Sequence, residues 1–449
     1  MNELNWGDIA DETVRHLQAL VRLNTVNPPG NERIAADYIA NVLNDNHITP
    51  VVINTAPNRA NVVARLKGDG TLAPLLLYSH TDVVPVESEK WSVDPFGGIV
   101  KDGYVWGRGT IDMKGIGAMQ LAVFLTLARQ RAAGASPLKR DIIIAATADE
   151  ENTTNQGIGV LVRDHPDLIR AEYAFSEFGG FSLQIGKNTF YPIQTAEKGT
   201  VWMRIRAKGK PGHASVPSED NAVIHLGRAL ARIGRSHLPL HLTDTSRAFI
   251  THFAKGVSGA VGQAMLAWLR TNGRFEPPGF IFKTPNVRRE FHAMLHNTCT
   301  PTGLSAGAKT NVIPSSAEVV LDCRTLPGIS TDQLLAELRA VVGSSERFEF
   351  IVDSDSPPLE FSSDTPMFKH LCNTIKQYDP LAIPVPFMLT GATDAKHVKK
   401  LGTICYGFSP MKFKAGERFF EMAHAHDERI SIDALAWGVR VLYDAVNLS

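Results

Sequence analysis

Cysteine is scarce in this chain: Cys299, Cys323, Cys372 and Cys405 are the only four in 449 residues, and no two form a CxxC pair. That argues against a disulfide framework or a thiolate zinc site, so buried free thiols are expected and any bound metal must rely on histidine and carboxylate. Excess charge of either sign is also missing. Lys+Arg and Asp+Glu both total 46, which leaves no electrostatic footprint for nucleic acid or for a polybasic membrane contact. No apolar run approaches the roughly 18 residues needed to span a bilayer. Residues 1–12 are polar and acidic, without a basic stretch leading into an apolar one, so no secretory signal is expected and the cytoplasm is the default compartment.

What is present is an ordinary globular composition, with 44% hydrophobic and 20% charged residues, over a length that suggests two or three domains. Val14, Leu17, Leu20 and Val21 give residues 8–23 a helical stripe, and Asn27-Pro28-Pro29-Gly30 breaks it. A second helix is expected over 32–43, with strands at 51–54, 61–66 and 75–78. A long helix follows over 114–131, then a buried strand over 141–148 and another ending at Ala174-Phe175. Strands alternating with helices imply an α/β layered fold with a parallel or mixed sheet. The texture changes near Thr195. Residues 200–207 alternate like a half-exposed strand, 221–233 read as helix, and 317–323 and 348–352 read as strands; 240–301 resist assignment. Pro357-Pro358 marks a second boundary, and a helix is expected over 431–445. The simplest organisation is one α/β domain, 1–195 and 357–449, interrupted by an inserted α+β domain at 196–356.

Chemistry concentrates in short clusters that follow the apolar segments. Ser79-His80-Thr81-Asp82 offers a metal-binding imidazole with a carboxylate two residues on to orient it. Gly107-Arg108-Gly109-Thr110-Ile111-Asp112 turns tightly before a helix; Asp112 is either that helix's N-cap or a carboxylate shared by two metals. Asp149-Glu150-Glu151 ends a buried strand, where three adjacent acids repel one another unless cations intervene. Glu177 follows another apolar segment, and His424 and His426 lie near the chain end. Taken singly, each is more often a surface group. Together His80, Asp112, Glu151, Glu177 and His424 form a mixed His/carboxylate set suited to two zinc ions, with Glu150 left over where a general base belongs.

With these residues in family order, the chain resembles the two-zinc carboxypeptidases and deacylases that include glutamate carboxypeptidase, aminoacylase, acetylornithine deacetylase and succinyl-diaminopimelate desuccinylase. The resemblance rests on SHTDVVPV, WSVDPFGG, GRGTIDMKG, ADEE, SEFGG, KGKPGHASVP, KTNVIP, LDCRTLPG, TGATDAKH and HAHDERI, and so runs over essentially the whole chain. It implies a three-layer zinc-peptidase-like catalytic domain with an inserted ferredoxin-like lid and dimerisation domain. His80 and Glu177 would hold one zinc, Glu151 and His424 the other, and Asp112 would bridge them; Co²⁺ or Mn²⁺ could replace zinc. Asp82 would steady His80, and Glu150 would be the general base for attack by a zinc-bridging hydroxide. His213 would reach across a homodimer to the scissile carbonyl, Asn311 and Arg324 would contact the substrate carboxylate, and Gly391, Ala392 and Thr393 would line its pocket. Lys396 stands where the family often has Arg, and Ala425 where Gly is common.

The expected activity is hydrolysis of an amide or peptide bond beside a free carboxylate, in a small peptide or an N-acyl amino acid. The readings set against it are an aminopeptidase on the same metal site and a non-catalytic binding protein that keeps the fold. Intact Glu150 and His213 weigh against the second, since a binder needs no base.

Overall fold

Long runs of buried branched and leucine side chains decide the centre of the first part of the chain. In the computed structural model, which describes residues 4–152, 155–257, 259–277, 279, 285–343 and 346–447, every residue of the strands Leu75–His80 and Ile142–Thr147 is buried. Strands apolar on both faces belong inside a parallel sheet. These two pair in parallel with each other, and Leu75–His80 also pairs in parallel with Tyr173–Ser176, which in turn pairs with Ile404–Gly407. Antiparallel strands Arg59–Leu66 and Val51–Ala56 extend one side, and Asn188–Glu197 the other, so the sheet is mixed. The helix Lys114–Ala132 is buried at nearly every position up to Leu127. It shows no amphipathic stripe because it has no wet face. Helices Trp6–Arg22 and Ile432–Asn447 pack against it, and Arg33–Asp45 packs on Arg59–Leu66. These elements share one core.

The chain divides into two compact units: residues up to Thr195 with Phe361–Phe387 and everything from Thr393 on, and Ala196–Glu360 with Met388–Ala392. Exit and return lie side by side, since the Phe361 amide donates to the Thr195 carbonyl at 2.8 Å. Met388–Ala392 goes with the second unit because the strand Ile383–Leu389 pairs with Asn188–Glu197 and its Leu389 carbonyl accepts from the Lys198 amide. Gly391 and Ala392, expected on the catalytic side, therefore cluster with the second unit, and Thr393 with the first.

The second unit is an antiparallel sheet in the order Thr298–Ala306, Ser316–Thr325, Gly199–Lys208, Phe348–Ser356. Buried and open residues alternate along Gly199–Lys208, as a sheet with one wet face requires. Helices Ala222–Ile233 and Thr331–Val342 cover the other face through Leu226, Ala229, Leu334 and Leu338. Asn221 caps the first, and Ser330 and Gln333 form a capping box on the second. A helix after the first strand and another after the third give the βαββαβ order of the ferredoxin-like unit. Among the described residues of 240–301 are the helices Asp244–Val257, Gly259–Leu269 and Pro285–Leu295. Phe249, Phe253 and Phe291 pack ring to ring among them.

One close approach ties the sheet to the residues discussed next. A Cβ added at Gly407 would lie 2.3 Å from the Glu177 carbonyl oxygen and 2.6 Å from the Gln194 Cβ. Gly407→Ala is expected to cost about 1–3 kcal/mol as overpacking, read as a lower urea midpoint at unchanged slope; an unaltered midpoint would contradict that packing.

Candidate metal centre

Parallel strands deliver their carboxyl ends to one edge, and loops there collect functional groups. His80 closes its strand, Asp149-Glu150-Glu151 follows Ile142–Thr147, and Glu177 follows Tyr173–Ser176. Asp112 sits just before the helix Lys114–Ala132 without capping it: the N-cap is Met113, and no side-chain cap bond forms. Its two oxygens are instead divided. Oδ1 lies 3.2 Å from His80 Nε2 and Oδ2 lies 3.3 Å from His424 Nε2. Glu177 Oε2 is 3.4 Å from His80 Nε2, and Glu151 Oε1 is 3.0 Å from His424 Nε2.

The structure thus forms two groups, His80/Asp112/Glu177 and Asp112/Glu151/His424, whose ligand atoms lie within 4.8 Å of one another in each. Among the described residues no other such group occurs, and His426, exposed, belongs to neither. His80 Nδ1 donates to the Asp82 backbone carbonyl at 3.0 Å, with the Asp82 carboxylate farther at 3.5 Å. With Nδ1 committed to that carbonyl, Nε2 is the ring nitrogen left facing Asp112 and Glu177, where a metal would be held. Asp82 thus approaches the ring with both its carbonyl and its carboxylate.

The electrostatics ask for cations. Desolvation and the charge of Asp112 push Glu177 up to about 8. Desolvation, then the charge of Glu177, holds Glu150 well above the carboxylate range, and desolvation raises Glu151 and takes Asp394 to about 7. Asp112 is held low, against its own desolvation, by hydrogen bonds to His424 and His80, and Asp82 likewise by its hydrogen bond to His80; bonds to Asp112 and Glu151 raise His424 to about 10. Glu177 Oε2 is buried without a hydrogen-bond partner. Nitrogen and carboxylate donors, crowded anions and an orphaned buried oxygen all fit divalent metal ions.

Behind these groups lies a buried network that sequence reading missed. Arg59 Nη1 donates to Asp149 at 2.6 Å and to Glu32 at 3.2 Å, and Nη2 to Asn27 at 2.8 Å and to the Pro29 carbonyl at 2.6 Å. Asn27 donates to Asp82 and Asp149, and Asp82 accepts from the Glu150 and Glu151 amides at 3.2 and 3.1 Å. Asp149 holds φ of +65°, a strained turn fixed from three sides. A Cβ on Gly30, itself at φ of +87°, would strike the Arg59 guanidinium, so the Asn27–Gly30 turn that reads as a helix breaker is a socket for Arg59. Glu428, in the His424 segment, grips the Asp112 loop: its oxygens accept from Arg108 at 2.7 Å and from the Gly109, Ile111 and Asp112 amides. A charged residue opening the strand Arg59–Leu66 is the one local signal for Arg59.

In the second unit, His213 is exposed on the short pair Gly212–His213 and Val312–Ile313, its Nδ1 2.7 Å from Ser215 Oγ. Asn311, also exposed, lies beside it, its carbonyl accepting from the Ala214 amide. Arg324 is half-buried with its fork on Asp322, at 2.6 and 2.8 Å, and on Thr200.

Residues 76–448 match the model of a family described as peptidase family M20/M25/M40. Human N-fatty-acyl-amino acid synthase/hydrolase PM20D1 is 28% identical over 425 residues, 89% of this chain and 80% of its own. Aminoacylase-1 of Sus scrofa is 25% identical, over 94% of this chain and 91% of its own. The fold matches that of an M20 family metallo-carboxypeptidase, Sso-CP2 of Sulfolobus solfataricus, with a TM-score of 0.69 at 17% identity, covering 98% and 99% of the two chains.

Arg59→Met strands buried acids and is expected to cost roughly 3–5 kcal/mol in urea unfolding of the metal-free protein. Lys67→Met, which loses an exposed pair with Asp141, should cost no more than about 1 kcal/mol. Equal costs would mean that Arg59 neutralises nothing.

Proposed function

This chain belongs to peptidase family M20/M25/M40 and is a metal-dependent amide hydrolase, and we propose that it cleaves an amide bond beside a free carboxylate, in a dipeptide or an N-acyl amino acid. The observation that carries this reading is Asp112, one oxygen toward His80 and the other toward His424, with the Glu150 carboxyl in the same crowded set of anions. His80 and Glu177 are assigned to one ion, Glu151 and His424 to the other, and Asp112 to both. Bound there, two zinc ions, or cobalt or manganese in their place, supply Lewis acidity that polarises a carbonyl and makes water a nucleophile near neutral pH.

Glu150 is assigned the proton transfers. It takes a proton from the attacking water and returns it to the leaving amine. Asp82 holds the turn that carries it through the Glu150 and Glu151 amides. His213 is assigned to the carbonyl oxygen of the scissile bond, donated across a homodimer built on the second unit. Asn311 and Arg324 are assigned to the amino-acid carboxylate, Arg324 by exchanging Asp322 for the substrate; its planar fork suits either. Gly391, Ala392 and Thr393 would shape that pocket. The names of the relatives, an N-fatty-acyl-amino acid hydrolase and an aminoacylase, support N-acyl amino acids as the first substrates to test. Among the described residues no helix is long and apolar enough to cross a membrane.

Glu150→Gln is expected to keep its metal and lose about 10²–10⁴ in kcat, measured by steady-state hydrolysis beside metal analysis; near-normal turnover would remove the base. Amidating the substrate's carboxylate should abolish most of kcat/KM, whereas an aminopeptidase would tolerate it. His213→Ala should cost about 10²–10³ in kcat, as loss of one oxyanion donor does, at unchanged metal content; a loss confined to metal content would contradict its assignment.

A further inference from the structure

Glu428 follows His424 by four residues and is buried, and each of its carboxylate oxygens accepts from two donors. Oε2 takes Arg108 Nη1 at 2.7 Å and the Gly109 amide at 3.1 Å. Oε1 takes the Ile111 amide at 2.7 Å and the Asp112 amide at 3.2 Å. The Glu428 carbonyl accepts from the Gly107 amide at 2.9 Å, and the next residues, Arg429–Ser431, pair antiparallel with Tyr104–Trp106. Arg108 closes the circuit, since its Nη2 donates to the His424 carbonyl at 3.3 Å. The segment that carries His424 and the loop that carries Asp112 are therefore one hydrogen-bonded body.

That body bears on the Asp112 side chain. Aspartates in turns ordinarily fold back on nearby backbone amides. Here Glu428 already holds the Ile111 and Asp112 amides, and Asp112 makes no capping bond to the helix that follows. Its carboxylate is left to the two histidines, one oxygen toward each. The other side of the centre is fixed differently. His80 ends one strand of the central sheet and Glu177 directly follows its parallel neighbour, so the ladder itself places them. His424 lies outside any helix or strand, at φ of +60°, and its side chain is 47% exposed.

We propose that Glu428 is a positioning residue for metal binding: it holds Asp112 and His424 in register with each other, and so governs chiefly the ion position formed by Asp112, Glu151 and His424. This rests on the metal-centre reading above and extends it to a residue that is not itself assigned to an ion. Two of the three ligands at that position depend on Glu428, against one of three at His80, Asp112 and Glu177. Size alone does not serve. A glutamine here would turn an NH₂ group either on Arg108 and the Gly109 amide or on the Ile111 and Asp112 amides, donor against donor.

The test compares zinc binding to the full chain, wild type and Glu428→Gln, by competition with a chelator and by anomalous peak heights in crystals over a zinc series. Urea unfolding of the metal-free proteins runs beside it. Glu428→Gln should weaken the position at Glu151 and His424 by about 10–100-fold, the usual effect of removing a group that orients metal ligands. Its peak should fade well before the one beside His80 and Glu177. Arg108→Lys keeps the charge but cannot span Glu428 and the His424 carbonyl together; it should weaken the same position by about 10-fold, and it decides the matter if Glu428→Gln does not fold. Wild-type zinc affinity in the folded variant, a lower urea midpoint with zinc binding unmoved, or equal loss at both positions would overturn the proposal. Wild type that binds no zinc at these residues would remove the metal-centre reading and this proposal with it. Two ions bound as expected, without hydrolysis of any amide, would remove the hydrolase reading and leave the role of Glu428 standing.

Discussion

Repulsion between carboxylates at the carboxyl edge of one sheet is the constraint to which much of the first unit answers. Asp82, Asp112, Glu150, Glu151, Glu177 and Asp394 act on one another there through desolvation and charge. Such groups stay together when cations are supplied from outside or from the chain, or when some of them keep their protons. The chain supplies some: His80 and His424 among the acids, Arg59 beneath Asp149 and Glu32, Arg108 on Glu428. The remaining demand is met most directly by metal ions between His80, Asp112, Glu177, Glu151 and His424. Geometry and charge are then one argument, since the oxygens that would hold ions are those whose protonation is most perturbed.

Three loops at that edge carry left-handed, non-glycine residues: Asp149, Phe178 and His424. Each is, or adjoins, a residue assigned a metal or a proton. Strain of this kind persists where surroundings over-determine it. Here the determinants are visible: Arg59 and Asn27 under Asp149, the close Gly407–Glu177 approach and the stacked phenylalanines at Phe178, and Glu428 with Arg108 behind His424, whose carbonyl Arg108 also contacts. The scaffold thus stores conformational cost in the turns that must point side chains at a shared centre.

The sequence made the metal-facing residues legible because strand ends followed by His or acids are local patterns, and the family motifs fall on them. The buried runs 75–78 and 141–148 announced the central strands, although the first extends through His80. The alternation in 200–207 announced the half-wet sheet of the second unit. What stayed hidden was long-range. Arg59 reaches Asp149 across 90 residues, and Glu428 reaches the Asp112 loop across more than 300; no spacing rule reports such a contact. One helix within 240–301 escaped for a different reason. Gly259–Leu269 is so evenly apolar and small in its side chains that it has no stripe to read. Asp112 shows how context decides: before a helix it reads equally as a cap, and the structure turns its side chain to two histidines instead.

The account depends on two ions sharing Asp112, and anomalous diffraction from crystals of the zinc-loaded protein tests that most directly. Two peaks are predicted, roughly 3.5–4 Å apart, one beside His80 and Glu177, the other beside Glu151 and His424, with the Asp112 carboxylate touching both. A single peak, or zinc bound away from these residues, would contradict it.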